Sequence, residues 1–254
     1  MQQQTYAIRE PVESPPEDQA VVSCRELTKH YGDLVAIDGI TFSLHPGTVT
    51  GFLGPNGAGK TTTLRLLLGL AEPSGGEALI FGRRYRELEQ PIRRVGAVLE
   101  STDFHPSRSG RDHLRTLALA AELPLSRVEE VLKQVGLGAA ADRRVKSYSL
   151  GMRQRLGLAA SLLGDPELLV LDAPANGLAP AGVHWLRGFL QTLAAQGRSV
   201  LISSHLLAEV AQTVDQILII DHGRLLASGR LDDIASNGRT LEEVYLELTA
   251  GEKS

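Results

Sequence analysis

The chain has 254 residues, of which 43% are hydrophobic and only 4% aromatic, so one large domain can bury an aliphatic core. Its formal net charge of −4 at pH 7 argues against general nucleic-acid binding, which favours a basic surface. The single cysteine, Cys24, excludes an intrachain disulfide, and no apolar run reaches the ~20 residues of a spanning helix. We expect a soluble, cytoplasmic protein that reaches a membrane only through a partner.

The first part of the chain divides into a leader and a group of strands. Residues 1–19 contain a glutamine run and several prolines and acids, a composition typical of disorder, so we predict a disordered leader followed by a domain over 20–250. Short apolar runs then alternate with turns between Val21 and Leu53, and another run covers Glu77–Phe81. This pattern predicts β-hairpin strands, and therefore an N-terminal antiparallel β subdomain.

The second part of the chain changes from helices back to alternating strands and helices. Residues 101–164 have helical periodicity, with segments at Ser109–Leu123, Ser126–Val135 and Leu150–Leu163, and Ser126 with Glu129 matches a capping box. Apolar runs beginning at Leu168 then predict strands that are buried on both faces. The overall fold class is therefore α/β, with an α-helical subdomain inserted over about 101–164.

One contiguous motif predicts a phosphate site. The residues are Gly54, Pro55, Asn56, Gly57, Ala58, Gly59, Lys60 and Thr61, followed by Thr62. They form G-x-x-x-x-G-K-T between a predicted strand and a predicted helix, as in a P-loop NTPase. The glycines let backbone N–H groups approach phosphate oxygens, and the helix N-terminus adds partial positive charge. Lys60 supplies charge for the outer phosphates, and the Thr61 hydroxyl is a ligand for Mg²⁺.

Two further features become stronger candidates for a nucleotide site because the phosphate loop is present. Asp172 ends the apolar strand that starts at Leu168, and an aspartate at that position is suited to holding Mg²⁺. Ser149 stands where a helix N-cap is expected, with Gly151 two residues later. A helix start with these residues is a second candidate anion site, although alone it would indicate only an ordinary capped helix.

Together these segments resemble the nucleotide-binding domain of ABC transporters, over about residues 21–248. The matches are the phosphate loop Gly54–Thr61, the signature segment Ser149–Arg155, the magnesium strand Leu168–Asp172, the segment Asn176–Ala179, the switch histidine His205, the adenine-stacking Tyr31, and Glu100 at a position usually held by a metal-facing glutamine. The amino-acid sequences of the signature segment and of Leu241–Leu248 resemble those of the bacterial export branch, which pairs with separate ABC-2-type permeases.

The resemblance implies a fold and a set of partners. It implies a RecA-like P-loop NTPase core that binds ATP and Mg²⁺. Two such domains would meet head to tail, with ATP between the phosphate loop of one and the signature segment of the other. A transmembrane permease would hold the dimer at the inner face of the cell membrane. Whether the dimer is homomeric or heteromeric, what is transported and in which direction are all left open.

Two carboxylates of the family pattern are missing. Ala173 occupies the position of the catalytic glutamate, and an alanine cannot accept a proton; general-base assistance is worth ~10² to 10⁴ in rate. Ala179 occupies the position of an aspartate that shapes the opposite site. Glu100 still offers an oxygen to a metal ion, and His205 remains as the candidate catalytic residue. We therefore predict Mg-ATP binding and dimerisation with impaired hydrolysis, so whether the chain is an active ATPase is open.

Several explanations of this departure remain. The chain could be a naturally degenerate member that works beside a competent partner, or a variant engineered to trap the ATP-bound state. A different class of function is a non-catalytic ATP-dependent switch or regulatory module, which Ala173 favours. A soluble translation or DNA-repair ATPase fits less well, because such proteins usually carry two of these domains or a long coiled coil.

Overall fold

In the computed structural model, residues 20–99, 104–235 and 239–250 are described. The predicted leader, 1–19, and Glu100 lie outside the described residues. The strands are β1 (Val22–Tyr31), β2 (Leu34–Leu44), β3 (Val49–Leu53), β4 (Gly75–Ile80), β5 (Val95–Val98), β6 (Leu168–Asp172), β7 (Ser199–Ser204), β8 (Gln216–Asp221) and β9 (Arg224–Arg230). The helices are α1 (Lys60–Leu67), α2 (Pro91–Arg94), α3 (Gly110–Ala120), α4 (Ser126–Gln134), α5 (Leu150–Ser161), α6 (Pro180–Ala195), α7 (Leu207–Val210), α8 (Leu231–Ile234) and α9 (Leu241–Ala250).

The strands form two sheets, which confirms the predicted α/β class with an antiparallel β subdomain. The three-stranded antiparallel sheet has the order β2-β1-β4. The larger sheet has the order β5-β6-β7-β3-β8-β9, in which β9 alone is antiparallel to its neighbour. The parallel strands β6, β7 and β3 therefore end at the same edge, and their carboxyl ends are where an open α/β sheet binds ligands.

Two strand predictions were wrong or incomplete. We expected Val49–Leu53 to form a hairpin with the preceding strand, but β3 lies in the middle of the larger sheet, parallel to β7 and β8. All five residues of β3 are buried, so the strand needs neighbours and covered faces on both sides, and the turn at Pro46-Gly47 leads from one sheet to the other. β5 was not predicted, because it has only four residues and includes Gly96.

The predicted helical block contains α3, α4 and α5, and Ser149 is the N-cap of α5 as expected. The capping-box prediction was wrong: α4 begins at Ser126 itself, with Leu125 as an N-cap that makes no side-chain cap hydrogen bond. The backbone N–H of Arg127 already donates to the carbonyl of Pro124, at 3.0 Å. A turn upstream thus starts the helix one residue early and displaces Ser126 from the capping position.

Two apolar clusters cover the larger sheet on its two faces. Leu168 and Val170 of β6 belong to the cluster that contains α1 and the antiparallel sheet, whereas Leu169 and Leu171 belong to the cluster of α3 to α6. This alternation follows from the period of two along a strand, and it accounts for the uninterrupted apolar run of β6. Among the described residues, no helix is both long enough and apolar enough to cross a membrane.

Arg155 joins the helical block to the core helix α6. Its guanidinium carbon lies 3.9 Å from the centre of the Trp185 ring, which stacks on Phe189 at 5.0 Å. One of its nitrogens also donates to the carbonyl of Val135, at the end of α4, at 3.2 Å. One side chain of α5 therefore contacts both α4 and α6.

We predict that Arg155→Met lowers the free energy of unfolding by about 1–2 kcal/mol, because it removes a cation–π contact and a charged hydrogen bond while keeping an apolar side chain. The measurement is urea unfolding followed by circular dichroism. Arg153→Met, at an exposed position of the same helix, is the matched control. Equal stability of the two variants would contradict this role for Arg155.

Candidate nucleotide-binding site

The loop between β3 and α1 has a shape that only glycine permits. Gly59 has φ 109°, and a Cβ atom there would lie 2.5 Å from Ile37 Cδ1 and 2.8 Å from the carbonyl oxygen of Ala36. Gly57 has φ 83°, yet a Cβ atom on it would meet nothing within 4 Å. The loop is thus pressed against β2 at Gly59 and has open space beside Gly57.

Lys60 is held across this loop. Its Nζ donates to the carbonyls of Gly54 at 2.8 Å and Pro55 at 2.9 Å. Lys60 also begins α1, whose first turn contains no acidic residue, so nothing in that turn opposes the positive end of the helix dipole. An ammonium group and a helix N-terminus beside a glycine-rich loop together fit the phosphates of a nucleotide.

The two oxygen groups proposed for Mg²⁺ are in direct contact. Thr61 Oγ1, in the first turn of α1, donates to Asp172 Oδ2, at the end of β6, at 2.8 Å, and the Asp172 residue is only 4% exposed. Among the described residues, no group of three or more His, Cys, Asp or Glu side chains could hold a metal ion. This donor set fits Mg²⁺, which usually takes one or two protein oxygens and completes its shell with phosphate and water.

An open cleft of about 550 Å³ lies beside these groups. At one end, Tyr31, Leu34 and Val35 are partly exposed, at 49%, 66% and 43%, and their apolar surfaces suit a flat base. Lys29 Nζ lies 4.8 Å from the centre of the Tyr31 ring. At the other end are Lys60 and the remaining polar lining. The candidate residues of the cleft are Tyr31, Asn56, Gly57, Gly59, Lys60, Thr61, Thr62, Asp172, Ala173 and His205.

Other candidate residues support the loop or lie elsewhere. Ala58 is buried, and its carbonyl accepts from the N–H of Gly223 at 3.0 Å. Ser149 and Gly151 do not line the cleft. The Ser149 hydroxyl instead accepts from the N–H of Met152 at 3.3 Å, at the start of α5. Within one chain, the two candidate anion sites are therefore separate.

Position 173 carries no acid or base. Ala173 lines the cleft next to Asp172 but has φ 46°, in the left-handed region. Its backbone N–H donates to Ser203 Oγ at 2.9 Å. Ala179 precedes α6 as its N-cap and makes no side-chain cap hydrogen bond.

Sequence reasoning did not assign a role to Ser203, although the structure places it between the candidate residues. Ser203 and Ser204 line the same cleft as His205. A buried strand that ends in polar residues beside a phosphate loop was the available signal, because parallel strands present their carboxyl ends at one edge of the sheet.

The sheet order, the glycine-rich loop before α1 and the Thr61–Asp172 pair define a nucleotide-binding P-loop protein. A family profile described as ABC transporter matches residues 37–176. The chain belongs to this family, as an ATP-binding domain, and the predicted P-loop NTPase fold is confirmed.

Known proteins resemble the chain over most of its length. It is 38% identical to a bacitracin transport ATP-binding protein, BcrA, of Bacillus licheniformis, over 89% of this chain and 75% of the relative. It is 36% identical to the Nod factor export ATP-binding protein I of Cupriavidus pinatubonensis, over 89% of this chain and 72% of the relative. A solved ATP-binding subunit of an ABC transporter superimposes with a TM-score of 0.81 and 29% identity, over 90% of this chain and 99% of that one.

Proposed function

We propose that the chain is the ATP-binding subunit of a bacterial ABC exporter, which binds Mg-ATP and acts on a separate membrane permease. The observation that carries this proposal is the contact of Thr61 with Asp172 beside the Lys60 loop. Bound Mg-ATP supplies a phosphoanhydride bond whose cleavage releases free energy. In this chain, Tyr31 offers a face for the base, the loop and Lys60 hold the phosphates, and Thr61 with Asp172 orients the metal.

The position of Ser149 supports a head-to-tail dimer. Ser149 and Gly151 lie outside the cleft of their own chain, so a second nucleotide-binding domain would have to bring the same anion site to this ATP. The side chain of Leu150, at the start of α5, packs closely on Gly177. A Cβ atom added to Gly177 would lie only 2.6 Å from Leu150 Cδ2. The start of α5 therefore packs against the loop that follows β6 and Asp172. In the proposed dimer, Asp172 would belong to one ATP site and the start of α5 to the other, so this contact within the chain would connect the two sites.

We infer that hydrolysis at this site is weak. The methyl group of Ala173 has no lone pair with which to accept a proton from water, and position 173 lines the cleft immediately after Asp172. The phosphate-holding groups need no such acceptor. Binding and closure are thus separable from hydrolysis in this chain.

Membership of the family supports a proposal for the partner and the location. The names of the two relatives, which refer to bacitracin transport and Nod factor export, support a role in moving a molecule across a membrane. We propose that the chain docks on a permease at the inner face of the membrane, and that the permease rather than this chain contacts the transported molecule.

Association state tests the proposal. With Mg²⁺ and ATP, the mass measured by size-exclusion chromatography with light scattering should shift from monomer to dimer, because weak hydrolysis leaves the ATP-bound state populated. ADP with Mg²⁺ is the control and should leave a monomer. A chain that stays monomeric with ATP, and that also fails to bind a fluorescent ATP analogue, would contradict the proposed function.

A second candidate function is a non-catalytic ATP switch, which the absence of a base at Ala173 favours. The two functions differ in their dependence on a permease. If a neighbouring gene encodes a membrane protein, co-expression of the chain with that protein should recover a stable complex if the chain is an exporter subunit. Recovery of the chain without that membrane protein would favour the switch.

A further inference from the structure

We propose that Ser203 is a positioning residue that holds both the metal-facing carboxylate of Asp172 and the backbone at Ala173. The inference rests on the proposed Mg-ATP site and assigns it a residue whose hydroxyl is bonded to Asp172 and to the backbone of Ala173. Ser203 acts through a single hydroxyl, which connects two neighbouring strand ends.

The register of the sheet puts Ser203 in this place. β7 lies between β6 and β3, and Ser203 is level with Asp172 on one side and with Phe52 on the other. The Ser203 residue is 0% exposed. Its hydroxyl donates to Asp172 Oδ1 and accepts from the N–H of Ala173 at 2.9 Å. Both hydrogen-bonding functions of the hydroxyl are therefore engaged with neighbouring residues of β6 and the loop after it.

This contact orients the carboxylate. Thr61 donates to Oδ2 of Asp172 while Ser203 donates to Oδ1, so each oxygen has a hydroxyl partner. Thr61 is itself a candidate metal ligand, whereas Ser203 belongs to the layer behind the ligands. Partners in that layer fix the orientation of a ligating side chain, and their loss typically costs 10–100-fold in metal affinity.

The same hydroxyl holds position 173. Ala173 lies in the left-handed region, which is unfavourable for a residue other than glycine. The segment 173–176 also lines a small cavity of about 30 Å³, together with Leu186 of α6 and Val210 of α7. Without Ser203, the N–H of Ala173 would lose its hydrogen-bond acceptor.

Binding of a fluorescent ATP analogue, with Mg²⁺ and with EDTA, tests this inference. The measured quantity is the ratio of the two affinities. Ser203→Ala should lower the Mg²⁺-dependent gain about 10-fold or more and leave binding in EDTA nearly unchanged, and Ser203→Thr should restore most of the gain. Ser203→Cys keeps the volume with a weaker hydrogen-bonding group, so it should shift the ratio in the same direction even if the alanine variant does not fold.

Ser199→Ala is the matched control. Ser199 is a buried serine at the other end of β7, and its hydroxyl also accepts a backbone N–H, that of Gly47, at 3.0 Å. This variant should lower the melting temperature but keep the wild-type Mg²⁺ ratio. A wild-type ratio in folded Ser203→Ala or Ser203→Cys would overturn the inference. Failure of the wild-type chain to bind the analogue is a different result, which would overturn the proposed function and this inference with it.

Discussion

Ala173→Glu is expected to raise the ATP turnover of the purified chain by about 10²- to 10⁴-fold, the usual worth of general-base assistance. The residue lines the cleft and follows Asp172 directly, so a carboxylate at this position enters the space beside the phosphates. The backbone is already in the left-handed region with alanine, and glutamate meets a similar conformational cost there. Phosphate release under steady-state conditions is the measurement.

Ala173→Gln is the matched control for this experiment. Glutamine has the length and polarity of glutamate without its basicity, so this variant should bind the ATP analogue with wild-type affinity and remain nearly inactive. High turnover of the unmodified chain would contradict the inference that position 173 limits hydrolysis. Equal turnover of the glutamate and glutamine variants would show that proton acceptance at 173 is not the cause.

Lys60→Ala is expected to weaken binding of an ATP analogue by about 100-fold and to abolish the ATP-dependent dimer. A charged hydrogen bond is worth roughly 1.5–3 kcal/mol, and the Lys60 ammonium lies on the loop within reach of the carbonyls of Gly54 and Pro55. Its loss also removes a donor from both carbonyls, so the loop becomes less well ordered. Titration fluorescence gives the affinity, and light scattering gives the mass.

Lys133→Ala removes the same charge from an exposed position of α4 and should leave affinity and dimerisation unchanged. Comparison of the two lysine variants separates the local role of Lys60 from the effect of net charge. If Lys60→Ala still forms the dimer with ATP, closure does not depend on this phosphate loop, and the proposed site is wrong.

The features that the sequence predicted well depend only on residues that are consecutive or nearly consecutive in the chain. The phosphate loop is one stretch between a strand and a helix, and the N-cap at Ser149 lies three residues before the N–H that it accepts. The buried strand β6 was predictable because a strand covered on both faces needs only apolar residues. These features can be recognised from residues that are close along the chain, because they depend on runs of apolar residues and on local hydrogen bonds.

Features that depend on the pairing of distant segments were not predictable in the same way. The Val49–Leu53 run could have closed a hairpin or joined a parallel sheet, because its apolar pattern suits either position. The capping box at Ser126 failed since a turn upstream starts α4 earlier. Arg155 was assigned only to the signature segment. Its contact with Trp185 joins α5 to α6, and the residues around Arg155 in the sequence do not indicate it.

By itself, the sequence determined that this protein carries the G-x-x-x-x-G-K-T loop between a strand and a helix and lacks a carboxylate at position 173. Only the tertiary structure decided which groups meet there. Thr61 and Asp172 are 111 residues apart and Ser203 is 31 residues beyond Asp172, yet the order β6-β7-β3 brings all three to one edge. Their contact depends on sheet register, which forms through long-range backbone pairing and is not encoded by any one segment alone.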